Sequence, residues 1–256
     1  MDASLVSIIT PTYNSEKFIT ETIQSVQKQS YTNWEMLIVD DCSTDNTVSI
    51  VSAISKNDSR IRFFQLDENL GTGVARDLAL SKATGRYITF LDSDDLWKPS
   101  KLEKQIDFLR SNNHPFTFSF YECIDEAGNA LDKKIEAPKR LKYYQLFFFN
   151  FIGNLTGIYD TSFFGKIPIS SIRKRQDWMM WLTILKKIKT AMPVPESLAY
   201  YRVRENSISA SKFNLLQHNF KVYRTFHGLN LVVSLICMVG FLFTQLMIKP
   251  FYTKKL

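Results

Sequence analysis

Residues 86–95, RYITFLDSDD, decide the fold, because an apolar run of strand-forming residues ends directly in carboxylates. β-branched and aromatic residues such as those of Arg86–Leu91 favour a buried strand. Carboxylates crowded at the end of a buried strand are unfavourable unless something neutralises them. The segment therefore predicts a strand whose carboxyl end carries a functional site.

Three similar apolar runs precede this strand, and each is followed by a helical pattern. The predicted strands are Val6–Thr10, Glu35–Asp40 and Ile61–Leu66. The predicted helices are Glu16–Ser30, Asn46–Lys56, Val74–Ala83 and a segment from Pro99 to about Arg110. Apolar strands that alternate with helices are typical of a parallel sheet covered on both faces. In such α/β folds, ligands bind at the carboxyl ends of the strands.

The pattern is looser after residue 113 and predicts an α+β region. Pro115–Tyr121 and Ser197–Val203 are predicted strands, and the turn at residues 126–129 predicts a hairpin. Leu141–Phe149 is an aromatic-rich helix or core segment. Gln176–Ile188 has apolar residues on one helical face and is a predicted helix.

The C-terminal segment contains an uncharged stretch of 20 residues, Leu229–Ile248, with basic residues on both sides. Its length is that of a membrane span. Polar residues within it and the bases at both ends also fit a helix that lies in the plane of a membrane surface. A buried terminal helix is the third possibility.

Charge is distributed unevenly along the chain, whose net charge is +7. Residues 1–165 hold 17 Lys and Arg against 22 Asp and Glu, a net charge of −5. Residues 166–256 hold 15 against 3, a net charge of +12. A basic C-terminal third favours an anionic partner such as membrane lipid, substrate phosphates or nucleic acid, although a solvated basic face has the same composition.

The three cysteines lie far apart and lack any CxxC spacing. This argues against a disulfide framework and a zinc site, and it is typical of a reducing compartment. The N-terminal residues lack the basic and apolar pattern of a secretory signal.

Asp92, Ser93 and Asp94 form the strongest candidate site. Alternate carboxylates beside a diphosphate suit Mg²⁺ or Mn²⁺, which prefer oxygen ligands and often keep substrate phosphates in their coordination shell. Such a metal would offset the charge of a departing nucleoside diphosphate. The alternative is that Asp94 or Asp95 caps a helix that starts near Pro99.

Two other predicted strands also end in polar residues. Asp40 and Asp41 could accept hydrogen bonds from a ribose hydroxyl or a base N–H, or one of them could cap the helix at Asn46. In the segment Pro11–Thr12–Tyr13, the tyrosine ring could stack on a nucleobase. The alternative there is an ordinary turn.

These segments together resemble glycosyltransferase family 2, an inverting family with the GT-A fold. The resemblance is close in VSIITPTYNSEKFITETIQSVQKQSYTNWEMLIVDDCSTDNT and DENLGTGVARDLALSKATGRYITFLDSDDLW, which lie within about the first 110 residues. It is looser in RQDWMMWLTIL and YRVRENSIS, up to about residue 211. The order and spacing of four weak motifs carry the resemblance.

The resemblance implies a Rossmann-like, mostly parallel central sheet flanked by helices. Residues 1–112 would bind the nucleotide-sugar and residues 113–211 would form the acceptor-binding and catalytic half. Residues 212–256, with the apolar helix, would form a basic segment associated with a membrane.

The resemblance also assigns roles to individual residues. Asp94 would be the metal ligand of the DxD motif, and Asp177 would be the general base. Gln176 stands where the family usually has Glu, so the Glu-Asp motif is incomplete, and Asp177 could instead cap the helix 178–188. The nucleotide-binding residues implied by the resemblance are Pro11, Thr12, Tyr13, Asp40, Asp41, Arg76, Asp92, Ser93, Arg202, Arg204 and Ser207, with Arg202, or Arg204 with Ser207, closing over the diphosphate.

The implied function is transfer of a sugar from a nucleotide diphosphate-sugar, a UDP-sugar by family habit, to an acceptor hydroxyl with inversion. The acceptor would be a lipid-linked saccharide of bacterial surface polysaccharide synthesis, at the cytoplasmic face of the inner membrane. A nucleotidyltransferase of related fold and an inactive membrane-tethered nucleotide-sugar-binding protein are the alternatives. Nucleic-acid binding is disfavoured, because no binding motif for it is present.

Overall fold

A computed structural model describes residues 4–170, 172, 174–204 and 212–255, with the backbone alone for residues 212–215. The strands are β1 (Val6–Thr12), β2 (Trp34–Asp40), β3 (Ile61–Gln65), β4 (Tyr87–Phe90), β5 (Leu96–Trp97), β6 (Phe116–Ile124), β7 (Ala130–Ile135), β8 (Leu141–Lys142), β9 (Ile158–Asp160), β10 (Thr190–Arg202) and β11 (Thr253–Lys255). The helices are α1 (Ile19–Gln27), α2 (Thr47–Ser55), α3 (Thr72–Lys82), α4 (Lys101–Ser111), α5 (Tyr143–Phe148), α6 (Thr161–Phe164), α7 (Gln176–Ile188), α8 (Lys212–Lys221) and α9 (Leu231–Phe243).

The strands of the described residues form one mixed sheet in the order β11-β7-β6-β9-β4-β1-β2-β3. β3, β2, β1 and β4 are mutually parallel, which confirms the predicted parallel sheet. β9 pairs antiparallel with both β4 and β6, and so joins the second half of the chain to the same sheet. The long strand β10 runs parallel to β6 and also pairs with β5 and β8.

Several predicted elements have different boundaries in the structure. β10 begins at Thr190, seven residues before the predicted start at Ser197, because its first half pairs with β8 and β6. The helix expected from Pro99 begins at Lys101, since β5 forms just before it. The predicted hairpin after β6 is confirmed as β6–β7. Local residue pattern carried little information about β10 because distant strands define its length.

The core between the sheet and α7 is built around aromatic rings. Trp178 and Trp181 of α7 are fully buried, and the Trp181 ring lies 5.3 Å from Phe116 and 5.9 Å from Phe90, between ring centroids. α7 is therefore held firmly against β4 and β6. This packing fixes the N-terminal turn of α7, which carries Asp177.

The C-terminal segment packs on the same domain. Leu231–Tyr252 is continuously helical over 22 residues and, by length and composition, is apolar enough to cross a membrane. One face of it, with Cys237 and Phe241, is buried in the core, while the opposite face is exposed. After the helix, β11 pairs with β7. The helix is thus attached to the domain at its middle and at its end.

We expect Gly157→Ala to lower the free energy of unfolding by about 1–3 kcal/mol, as overpacking of a filled core does. A Cβ at Gly157 would lie 2.5 Å from the ring of Trp181, although the backbone there has an ordinary φ of −79°. Urea unfolding measures the change. In a Trp181→Phe background the cost should shrink, because the smaller ring leaves room; an equal cost in both backgrounds would contradict the contact.

Candidate active site

A cavity of about 1510 Å³ opens at the carboxyl ends of β1, β2 and β4 and extends to α7 and α9. Most residues predicted from the sequence line it. They are Pro11, Thr12, Tyr13, Asp41, Arg76, Asp92, Ser93, Asp94, Asp177, Arg202 and Arg204. Ser207 lies outside the described residues.

The end of β1 forms one wall of the cavity. The ring of Tyr13 is 47% exposed there, as a stacking platform would be. The hydroxyl of Thr12 is buried and has no hydrogen-bond partner among the described residues. A buried unpaired hydroxyl is costly, so this wall has spare capacity to bind a polar ligand.

Asp41 shapes the loop that faces Tyr13. Its carboxylate accepts hydrogen bonds from the backbone N–H of Leu70 at 2.7 Å and of Gly71 at 2.9 Å. Gly71 has a φ of +91°, a conformation that favours glycine. A carboxylate has about four lone-pair positions, so Asp41 can hold the loop and still accept from a ligand.

Asp40 does not line the cavity, which corrects its assignment as a nucleotide contact. Its side chain is fully buried and accepts hydrogen bonds from the backbone N–H and the hydroxyl of Ser43. The carboxylate therefore orders the turn after β2. It does not cap α2 either, since Asp45 accepts from the N–H of Thr47 at the start of that helix.

Asp92 connects three parts of the cavity wall. It accepts a hydrogen bond from Arg76 of α3 at 2.5 Å and another from the side-chain amide of Asn154 at 3.1 Å. Arg76 also donates to Gln176 Oε1 at 3.0 Å. One arginine thus joins the end of β4 to the first residue of α7.

Hydrogen bonds of Ser93 and Asp95 fix the position of the acidic segment. The hydroxyl of Ser93 shares a hydrogen bond of 2.7 Å with Ser15, and Asp95 accepts from the backbone N–H of Arg202 at 2.9 Å. Burial and the charges of Asp94 and Asp92 hold the pKa of Asp95 well above its usual value. Asp95 is therefore a buried structural carboxyl in the cavity lining.

Asp94 faces the cavity beside Arg204, whose Nε lies 3.0 Å from its carboxylate. Burial raises the pKa of Asp94, the charge of Asp92 raises it further, and Arg204 pulls it down. The alternative role of Asp94 or Asp95 as a helix cap is wrong, because α4 begins at Lys101 after Ser100. Asp94 therefore lines the cavity as a carboxylate paired with Arg204.

Arg202 is occupied by protein groups, so the structure does not support its closing over a diphosphate. Its guanidinium is buried and donates to the carbonyls of Asp94 and Glu126 and to the carboxylate of Glu21. Of the two arginines offered by the sequence, Arg204 is the one that lies beside Asp94 in the cavity.

The chemistry of this wall fits a shared divalent cation. No group of three His, Cys, Asp or Glu side chains is arranged as a complete metal site in the described part of the chain. Asp94 is nevertheless a half-buried carboxyl whose ionisation is resisted by burial and by the charge of Asp92, so a cation there would relieve repulsion. Mg²⁺ is commonly held by one or two carboxylates, with substrate phosphates and water completing its shell.

Asp177 lies in the first turn of α7 and lines the same cavity. The helix begins at Gln176, and the preceding Arg175 has a left-handed φ of +67°, so the alternative of Asp177 as the helix cap is wrong. The amide of Asn150 donates to its carboxylate at 2.8 Å. Burial raises the pKa of Asp177, although the charges of Arg175 and Arg76 partly oppose the effect. A carboxylate with raised basicity is suited to accept a proton.

Sequence reasoning missed the residues that orient these carboxylates and one wall of the cavity. Asn150 and Asn154 follow the aromatic-rich segment Leu141–Phe149, in a stretch without a recognisable motif. Phe241 and Lys249 of the C-terminal segment also line the cavity. The apolar composition of that segment pointed to a membrane and gave no sign of this role.

The fold is the GT-A fold of solved glycosyltransferases. S. aureus TarS 1-349 in complex with UDP-GlcNAc is similar with a TM-score of 0.67 and 22% identity, covering 94% of this chain and 73% of that chain. The mannosyltransferase PcManGT from Pyrobaculum calidifontis, in complex with GDP-Man and Mn²⁺, has a TM-score of 0.64 and 18% identity over 96% of this chain and 71% of its own.

The chain belongs to glycosyl transferase family 2, whose profile matches residues 7–167. It is 44% identical over 237 residues to a Bacillus subtilis (strain 168) protein named as a teichuronic acid biosynthesis glycosyltransferase, TuaG, covering 93% of this chain and 94% of that one. It is 40% identical over 227 residues to WfgD of Escherichia coli, covering 88% of each chain, which is named as a UDP-Glc:alpha-D-GlcNAc-diphosphoundecaprenol beta-1,3-glucosyltransferase. The expected family and enzyme class are confirmed.

We expect Asp177→Asn to raise the free energy of unfolding at pH 8. A carboxyl whose pKa is raised by folding favours the folded state at low pH, and that contribution is lost as pH rises through the folded pKa. The neutral amide avoids this loss and keeps an acceptor for Asn150. Urea unfolding at pH 8 and pH 4 measures it, and the gain should shrink at pH 4.

Asp160→Asn is the control, with the opposite sign. Burial alone would raise the pKa of Asp160, but hydrogen bonds from Arg86 and Ser162 outweigh burial and lower it. Its stabilising contribution is present above the unfolded pKa and is lost as pH falls through the folded pKa. Asp160→Asn should therefore destabilise the protein at pH 8. If both variants changed the free energy of unfolding at pH 8 in the same direction, the raised pKa of Asp177 would be contradicted.

Proposed function

We propose that the chain transfers a sugar from a UDP-sugar to a hydroxyl of a lipid-linked saccharide, with inversion at the anomeric carbon. One observation carries the proposal: Asp177, a carboxyl whose pKa is raised by burial, lines the same cavity as the acidic end of β4. A donor bound at β1 and β4 and an acceptor bound at α7 would meet in this cavity.

The proposed reaction is a direct displacement. Asp177 accepts the proton of the acceptor hydroxyl while the acceptor oxygen forms its bond to C1 of the donor sugar. The bond from C1 to the diphosphate oxygen breaks, and the electron pair leaves with the nucleoside diphosphate. Attack opposite the leaving group inverts the anomeric centre. One catalytic carboxylate is then sufficient.

Asp94 would hold a Mg²⁺ or Mn²⁺ ion together with the donor diphosphate. When bound, such a cation stabilises negative charge on the leaving group. Arg204, which lies 3.0 Å from Asp94, would shift onto a phosphate oxygen. Thr12, Tyr13 and Asp41 would bind the nucleoside at the other end of the donor site.

The donor and acceptor classes proposed for this chain are supported by the ligands and names of its relatives. TarS has been solved with UDP-GlcNAc, and WfgD is named for a UDP-Glc donor and a diphosphoundecaprenol-linked acceptor. PcManGT has been solved with Mn²⁺. These ligands belong to the relatives, and their extension to this chain is the proposal.

The enzyme would work on a membrane surface through the exposed face of α9, at the cytoplasmic side of the inner membrane. Val232, Ile236 and Val239 lie four and three residues apart on that face and are each at least 65% exposed. Of the two membrane arrangements open from the sequence, the packing of Phe241 and the pairing of β11 favour a helix lying in the plane of the membrane.

We expect Asp94→Asn and Asp177→Asn each to reduce sugar transfer by at least about 100-fold, in line with the loss of a metal ligand or a general base. Only Asp94→Asn should weaken UDP binding that depends on Mn²⁺. UDP release with and without acceptor, and calorimetric titration of UDP, measure the two effects. Asp107→Asn on the exposed side of α4 is the matched control. Full activity in either site variant would overturn the role given to that residue.

We expect replacement of Val232, Ile236 and Val239 by Ser to weaken binding to anionic vesicles by about 100-fold or more. Each replacement removes an apolar side chain that contributes roughly 1–2 kcal/mol to the free energy of membrane binding when it is buried in lipid. Vesicle sedimentation measures the change, and circular dichroism checks the fold. Phe163→Ser, which removes a 47% exposed ring elsewhere, is the control. Unchanged vesicle binding in the triple variant would remove the membrane proposal.

A further inference from the structure

The cationic side chains at the two ends of the cavity differ in whether they have carboxylate partners. At the donor end, each cavity arginine has a carboxylate partner: Arg76 with Asp92 at 2.5 Å, Arg204 with Asp94 at 3.0 Å and Arg202 with Glu21 at 2.7 Å. These pairs are close to neutral before any ligand binds. A donor diphosphate would therefore need the additional cation proposed at Asp94.

At the acceptor end, two cationic side chains lack such partners. Within the described ranges, neither Arg175 nor Lys249 has a carboxylate oxygen within 4 Å. Arg175 donates from Nε to Asn219 at 2.7 Å, and the Lys249 ammonium lies 5.3 Å from the centre of the Phe149 ring. Both side chains line the large cavity.

The surroundings disfavour these charges. Burial lowers the pKa of Lys249, and the positive charges of Lys133 and Arg175 lower it further. Burial also lowers the pKa of Arg175, with only partial compensation from the charge of Asp177. Two cations that repel each other in a partly buried cavity are unfavourable unless an anion joins them.

We propose that Arg175 and Lys249 form a binding site for the diphosphate of a lipid-linked acceptor. This rests on the proposed function and names the part of the cavity that recognises the acceptor. A diphosphate held there would present the attached saccharide to Asp177, which is two residues from Arg175 in the chain.

The position of Lys249 explains why the anion would carry a lipid. Lys249 lies six residues after the end of α9, in the same continuous helical segment, Leu231–Tyr252. The outer face of that segment is apolar and exposed, with Leu246 at 69% and Phe251 at 73%. A ligand with its diphosphate at Lys249 could therefore lay its hydrocarbon along the face that we propose contacts the membrane. A free phosphate would gain nothing from that face.

Binding tests the site without any need for catalysis. With the full chain saturated with UDP, we expect geranyl diphosphate to bind more tightly than inorganic pyrophosphate and geraniol in calorimetric titration. Lys249→Gln should weaken the binding of geranyl diphosphate about tenfold to 100-fold, the value of a charge-assisted hydrogen bond. Lys254→Gln, an exposed lysine on β11, is the matched control and should bind like the unmodified protein.

Two outcomes would overturn the proposal. Equal affinity of geranyl diphosphate for the unmodified protein and for folded Lys249→Gln and Arg175→Gln would remove the site. Equal affinity of pyrophosphate and geranyl diphosphate would leave a phosphate site with no lipid component. Circular dichroism of each variant establishes that it is folded.

A kinetic comparison separates this site from the proposed function. The same saccharide is offered on a diphospho-lipid and on a simple alkyl chain. Lys249→Gln should raise KM for the first acceptor at least tenfold and leave the second acceptor and the donor KM unchanged. If the unmodified enzyme glycosylates neither acceptor, the proposed function fails, and the titration still decides the site. Equal effects on both acceptors would contradict diphosphate recognition.

Discussion

The carboxylates that end β4 must be balanced by positive charge or hydrogen bonds, and most of the site follows from this requirement. Asp92, Asp94 and Asp95 lie within four residues at the edge of a buried sheet. Repulsion between carboxylates at such distances is strong where water is excluded. The balancing groups come from distant parts of the sequence: Arg76 from α3, and Arg204 and the backbone of Arg202 from the end of β10. The acidic strand end thereby ties the second half of the chain to the first.

The structure gives a physical reason for Gln176 at the position where the family usually has Glu. Its Oε1 accepts from Arg76, while its Nε2 donates to the carbonyl of Ser170 at 3.3 Å. A carboxylate could accept from the arginine but could not donate to that carbonyl. The side chain also fills the space above Gly73 at the start of α3. The departure from the motif therefore leaves a neutral link between α3 and α7, with Asp177 as the single carboxyl beside it.

Sequence was most informative where local pattern and chemistry coincide. The four parallel strands and the acidic segment after β4 could be predicted, because apolar runs and strand-end carboxylates are local features. The extra length of β10, the engagement of Arg202 and the turn role of Asp40 could not be predicted, because each depends on partners far away in the chain. The same is true of Asn150 and Asn154, whose amides orient Asp177 and Asp92 but stand in no recognisable motif. Apolar composition predicted α9 as a helix but left open whether it is buried or lies at a membrane, and the structure buries one of its faces.

The attachment of α9 at its middle and at β11 bears on how such a chain would reach a membrane. To thread this helix through a bilayer, the protein would have to withdraw Phe241 from the core and separate β11 from β7. A helix lying flat demands neither step. On the membrane-surface arrangement that we propose, the polypeptide would complete its folding in water and bind lipid reversibly afterwards. Its residence on lipid would then be an equilibrium that depends on how much of the proposed acceptor the membrane carries.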